Sequence, residues 1–167
     1  MKPTYPVAAV LLLALLAAGC AAKHAGHLPQ QVWMPGESAV VDTSFLRFHY
    51  TLREDTTPGD DVAWLLDGRA VAMPGAVPAW ARWVASARIS AYVVDAAGQV
   101  LAEHTLAYEP RPFTPSAGLP LAFRLPVVDE DAPGPWYVAF GYSLVLTEDA
   151  DGGQRPPFFA GEDAVTR

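Results

Sequence analysis

The sequence predicts an all-β protein: an antiparallel immunoglobulin-like β-sandwich of about seven strands, preceded by a signal-peptide helix. Three observations carry this. Beyond residue 43, apolar residues recur at every second position in run after run, which is the period of a strand with one dry face. Sixteen prolines and 13 glycines cluster between those runs, as turns require and as a helical bundle of this size does not tolerate. The runs follow one another at roughly 10–15 residues, the rhythm of a sandwich. A small closed barrel is the alternative.

The first element is the leader. Lys2 stands beside the amino terminus, and an unbroken apolar run follows from Val7 to Ala18. In helix it would span roughly 18 Å at about 1.5 Å per residue, short of a bilayer core of about 30 Å. Its length, positive start and small-residue end are those of a secretory signal peptide, with a helix expected from about Pro6 to Ala18. The run closes on Leu16-Ala17-Ala18-Gly19-Cys20, and Cys20 is the only cysteine in the chain. This stretch resembles a bacterial lipobox, with Ala17 in the place usually held by leucine. The resemblance implies cleavage between Gly19 and Cys20, a diacylglyceryl thioether on the Cys20 sulfur, and a palmitate-type chain on the new amino terminus. It also implies a lipoprotein of the bacterial cell envelope. Ala21, where an aspartate would signal inner-membrane retention, points to the outer membrane with the domain facing the periplasm. Two or more acyl chains hold a protein at a membrane surface effectively permanently.

Three segments are therefore expected: signal peptide 1–19, lipidated cysteine and flexible tether 20–36, and a single β-sandwich domain 37–167. The mature chain, Cys20 to Arg167, has 148 residues and no second thiol. An intramolecular disulfide is excluded, so stability must come from an apolar core, which a domain of this size can build.

The strands follow in order. In "SFLRFHYTLRED" (44–55), Leu46, Phe48, Tyr50 and Leu52 form the dry face, with Arg47, His49, Thr51 and Arg53 on the wet one. "VAWLLDGRAVAM" (62–73) reads as two short strands about an Asp67-Gly68 turn, with a helical turn from Val62 to Leu66 as the competitor. In "AWARWVASARISAYVVD" (79–95), Trp83, Ala85, Ala87, Ile89, Ala91 and Val93 share a face. Asp95 to Gly98 forms a hairpin loop. "QVLAEHTLAYE" (99–109) returns with Val100, Ala102, His104, Leu106 and Tyr108 together. In "LPLAFRLPVV" (119–128), Leu119, Leu121, Phe123, Leu125 and Val127 face inward, and Pro120 and Pro126 mark an edge strand. "WYVAFGYSLVLTE" (136–148), with Trp136, Val138, Phe140, Tyr142, Leu144 and Leu146 on one face, is the central strand. "FFAGEDAVTR" (158–167) fits no single element.

"ISAYVVDAAGQVL" (89–101) followed by "PLAFRLPV" (120–127) resembles the FxLYD-type extracytoplasmic β-sandwich domains, with Tyr92, Asp95 and Gly98 matching loosely. The upstream glycine and asparagine signals of that family are not evident. The resemblance implies a sandwich and no particular activity.

Charge narrows the function classes. Eleven Lys and Arg against 18 Asp and Glu give −7. No basic stripe is present, which argues against nucleic acid as a partner.

The residues able to carry chemistry are few. His24 and His27, in "HAGH", have a spacing that could take a transition metal weakly, but a tether offers no fixed geometry. His49 and His104 could pair across a sheet beside Asp42 or Glu103. Ser143 in "GYSLV" lacks the second glycine and the strand-to-helix turn of a nucleophile elbow. "EDADGG" (148–153) and "DEDAPG" (129–134) gather carboxylates as calcium loops do, without the spacing of a known one. Trp33, Trp64 and Trp80 could form an aromatic rim for glycan or a partner strand, whereas Trp83 and Trp136 belong to apolar faces. No cofactor is expected, and no acid, base and nucleophile converge in the pattern. The expectation is a non-enzymatic, membrane-anchored envelope lipoprotein that holds a partner protein or envelope component. Periplasmic binding of glycan or calcium is the alternative, and a hydrolase ranks third.

Overall fold

A computed structural model describes residues 22–55, 63–126 and 134–166, and among the described residues it has twelve strands, the long ones formed by the alternating runs. The leader with its expected helix, Gly19, Cys20 and most of the 129–134 loop lie outside the described residues. Among the described residues there is no helix.

The strands are β1 Lys23–His24, β2 Gln30–Val32, β3 Ser38–Asp42, β4 Leu46–Asp55, β5 Ala63–Ala72 and β6 Trp83–Val94. Then come β7 Val100–Tyr108, β8 Arg111–Pro112, β9 Leu119–Pro126, β10 Tyr137–Thr147, β11 Phe158–Glu162 and β12 Val165–Thr166. One sheet has the order β3-β4-β5-β9; the other runs β11-β10-β6-β7, with β2 also on β10 and β8 on β6. Every pairing is antiparallel. The chain changes sheet after β5, returns after β7 to lay β9 against β5, and crosses again to lay β10 against β6. This is the Greek-key connectivity of immunoglobulin-like sandwiches.

Inward residues of the two sheets meet in one core. Phe140 stacks on Phe48 with centroids 4.3 Å apart and planes 2° from parallel. Tyr50 meets Phe140 edge-on at 5.3 Å, and Phe123 flanks it at 6.2 Å. Burying such side chains contributes roughly 1.5–3 kcal/mol each, before the entropy of ordering them. The dry faces expected for β4 and β9 are the buried ones. β10 is central, between β6 and β11. β9 is an edge strand, as Pro120 and Pro126 require.

The structure corrects four expectations. Residues 63–72 are one strand, neither a hairpin nor a helical turn. Asp67-Gly68 lies inside it because the two backbones close up there: a Cβ on Gly68 would sit 2.8 Å from the Tyr50 Cα. In β6 the register against β10 shifts, so Ser86 opposes Val145 but Val84 opposes Leu146. The extra residue, Ala85, is a β-bulge that turns Val84 into the core and Trp83 out of it. A second bulge, at Leu101, lets Val94 oppose Val100 and moves Val100 off the face of Ala102.

The fourth correction concerns residues 22–36, expected to be a flexible tether. β1 pairs with β12, β2 pairs with β10, and Ala25 and Leu28 are buried. They pack with Tyr92, Val94 and Ala139 in a second apolar cluster on the outer face of the six-stranded sheet. "AAKHAGHL" looks like linker, but Ala25 and Leu28 find a sheet face that is itself apolar at Tyr92, Val94 and Ala139.

Candidate functional site

The first and last described strands, β1 and β12, pair beside the outer face of the six-stranded sheet, and a polar recess forms there. In strand register, outward residues of β10, β6 and β7 make rows Ser143–Arg88–Ala107 and Gly141–Ser90–Thr105. Small side chains surround Arg88 in these rows and leave space above the sheet. Lys23 from β1 and Asp163 after β11 form the remaining wall. The recess measures about 130 Å³, and Lys23, Arg88, Ser90, Thr105, Tyr142, Ser143 and Asp163 line it.

Each wall is fixed by its own contacts. Lys23 donates to Glu103 at 2.6 Å and lies 4.8 Å over the Tyr92 ring. Burial opposes the lysine charge, but the bond to the Glu103 carboxylate and the neighbouring Tyr92 outweigh it, so its pKa is raised. The Tyr92 hydroxyl donates to Asp163 Oδ1. That oxygen also accepts the Ala164 amide at 2.9 Å. Burial, and then the bond to Asp163, push the Tyr92 phenol pKa upward, which keeps it a proton donor. The Asp163 carbonyl accepts from His27 Nε2 at 2.9 Å. Gly141 makes room for this: a Cβ there would lie 3.0 Å from Tyr92 Cε2 and 3.2 Å from the Asp163 Cα. Ser90 and Thr105 share a hydroxyl hydrogen bond of 2.7 Å.

The sequence-derived candidates fall out as follows. Ser143 lines this recess, exposed in mid-strand. His49 is exposed on the outer face of the other sheet, and His104 turns inward from β7, so the two do not pair. Glu103, on the opposite side of β7 from His104, is bound to Lys23. Asp42 forms a bidentate pair with Arg47 at 2.6 and 2.7 Å, and this pairing lowers its pKa. His104 Nδ1 accepts the Arg124 amide at 2.9 Å, and the Tyr108 hydroxyl donates to the Pro120 carbonyl at 2.6 Å. Side chains of β7 thus satisfy the open edge of β9, a structural duty. His24 pairs with Val165 while His27 reaches Asp163, so "HAGH" is divided between two strand-edge tasks.

The acidic loop after β10 turns its carboxylates onto its own backbone. Asp149 Oδ1 accepts the Asp151 amide at 3.0 Å, and Glu148 Oε2 accepts the Gln154 amide at 3.2 Å. Among the described residues no three His, Cys, Asp or Glu side chains are grouped to hold a metal ion.

The tryptophans do not form an exposed rim. Trp33 meets Trp64 at 5.3 Å and Trp136 at 6.2 Å, both edge-on, and all three pack on the core. Trp80 also packs on the core and carries Arg155 over its ring at 5.8 Å. A larger recess of about 500 Å³ lies along edge strand β3, beside Val40 and His49.

The sequence reading missed the recess because it assigned one wall to a linker and left another, Asp163, in an unassigned tail. One signal was available: Gly141, an otherwise costly glycine in the middle of a central strand, marks a close approach by another segment. Comparison with protein-family models, curated proteins and solved structures gives no match to this chain.

Proposed function

We propose that this chain is a lipid-anchored protein of the bacterial cell envelope, attached through Cys20 and facing the periplasm from the outer membrane. It holds a partner protein or envelope component against the membrane and does no chemistry of its own. The observation that supports this best is the packing of the segment that follows the lipobox cysteine. Only Ala21 and Ala22 separate Cys20 from Lys23, which is paired in β1. Three residue steps reach about 10 Å at most. Acyl chains on Cys20 would therefore hold the six-stranded sheet close to the headgroups, leaving the four-stranded sheet and its edge β3 for a partner. Among the described residues β3 pairs on one side only, and it displays the exposed Val40, which suits addition of a partner strand.

The test compares wild type with Cys20→Ser in the native bacterium. Intact-mass measurement should show a chain beginning at an acylated Cys20, and the variant should leave the membrane fraction. Mild crosslinking should recover a partner from wild-type membranes, and that yield should fall for Cys20→Ser. An unmodified thiol, or a start site elsewhere, overturns the anchor. Crosslinking that is unchanged in the variant overturns the membrane-holding role.

A further inference from the structure

The polar recess holds a cation and an anion that are not bonded to each other. Arg88 and Asp163 both line it, yet among the described residues no ion pair within 4.0 Å joins them. Lys23, which also lines the recess, is neutralised by Glu103 at 2.6 Å. Asp163, which lines the recess, uses Oδ1 for Tyr92 and Ala164, and its Oδ2 has no donor among the described residues. Arg88 likewise has no hydrogen-bond acceptor there, and its cross-strand neighbours are Ser143 and Ala107. The same recess is lined by Ser143 and by the hydrogen-bonded Ser90–Thr105 hydroxyl pair.

We infer that this recess is a binding site for a small zwitterion: a primary ammonium at Asp163 Oδ2 and a phosphate or carboxylate at Arg88, with the hydroxyls of Ser143 and Thr105 beside the anion. A guanidinium suits a planar or tetrahedral oxyanion through paired N–H donors. A carboxylate already held by a buried phenol is oriented to accept an ammonium. Size sets the class. About 130 Å³ is well under the roughly 300–1,000 Å³ of ordinary ligand pockets, so an oligosaccharide does not fit and a phosphoethanolamine or short amino acid does. The same chemistry occurs free in solution and on phosphatidylethanolamine headgroups. The site stands whether or not Cys20 is acylated.

The experiment uses the secreted Cys20→Ser protein and follows its amide NMR signals. Titration with phosphoethanolamine and with L-serine should shift Ser90, Thr105 and Ser143 saturably for at least one of them. Arg88→Gln, a change at an exposed side chain with no hydrogen bond or ion pair among the described residues, should weaken that binding at least tenfold. Ethanolamine alone and inorganic phosphate alone should each bind at least tenfold more weakly than the joined molecule. Flotation with phosphatidylethanolamine vesicles, against vesicles of phosphatidylcholine only, identifies the source: selective co-flotation assigns a lipid headgroup, and binding of the free zwitterion alone assigns a soluble ligand. Three results overturn the inference: no saturable shift with either zwitterion, unchanged binding in Arg88→Gln, or inorganic phosphate binding as tightly as phosphoethanolamine.

Discussion

Tyr92→Phe should loosen the terminal segments while leaving the sandwich standing. The ring is fully buried and Phe keeps its volume, its packing on Ala25 and Leu28, and the Lys23 ammonium over its face. What is lost is one hydrogen bond from the hydroxyl to Asp163 Oδ1. A bond to a charged group contributes about 1.5–3 kcal/mol. Asp163 is exposed, so water replaces part of that bond, and the lower figure of about 1.5 kcal/mol applies. That corresponds to a roughly tenfold rise in the opening equilibrium of the segment Asp163 holds. Hydrogen exchange by mass spectrometry reads it directly. Protection in peptides from 22–30 and 158–166 should fall about tenfold, while a peptide from β4 should keep its rate. Unchanged exchange at the termini would refute the claim that Tyr92 latches them. An equal loss in β4 would show that the termini are part of the global unfolding unit.

Three further outcomes follow from the core, the sheet edge and the buried phenols. Phe140→Ala empties the centre of the ring cluster formed with Phe48, Tyr50 and Phe123; it should cost about 3–5 kcal/mol, read from denaturant midpoints at unchanged m-value. His104→Ala removes the acceptor for the Arg124 amide and uncovers the edge of β9; a loss of about 1–2 kcal/mol should come with increased light scattering as chains pair at that edge. Burial raises the Tyr108 pKa to about 12, from 10.0 for the free phenol. The folded state thus holds that proton more tightly than the unfolded one. Its contribution is intact below pH 10.0 and is lost as pH rises to about 12, a window that denaturation monitored across alkaline pH should reproduce and that Tyr108→Phe should narrow.

Much of the sandwich was legible because alternation is a local signal. Leu46 to Leu52 and Leu119 to Leu125 alternate strictly, and each strand buries the face its own sequence declares. The edge position of β9 was legible too, since Pro120 and Pro126 lack the amide that a second neighbour would need. Trp83 and Val100 were misplaced for one shared reason. A bulge inserts one residue against a partner strand, and alternation inverts across it without any change in composition. Gly68 was misread because Asp-Gly favours a turn locally, whereas here the glycine answers the close approach of β4.

The candidate site was the least legible part. Ser143 was singled out for a catalytic motif it does not complete, and it proves to line a recess with Arg88, Ser90 and Thr105, which no spacing rule joins. Lys23 and Asp163 stand 140 positions apart in the sequence, one in a segment that reads as a flexible tether and the other in a tail that fits no single element.

The sequence by itself determined the all-β class, the faces of the regular strands, the central place of β10 and the reliance on an apolar core in a chain with one cysteine. These follow from period, composition and the backbone limits of proline, all properties of neighbouring residues. Only the tertiary structure decided that residues 23–32 and 158–166 pack onto the sheet, that two bulges invert the faces of Trp83 and Val100, and that Arg88 and Asp163 line one small polar recess. Those depend on contacts between distant segments, where Ala25 and Leu28 are buried only because Tyr92, Val94 and Ala139 offer them an apolar surface.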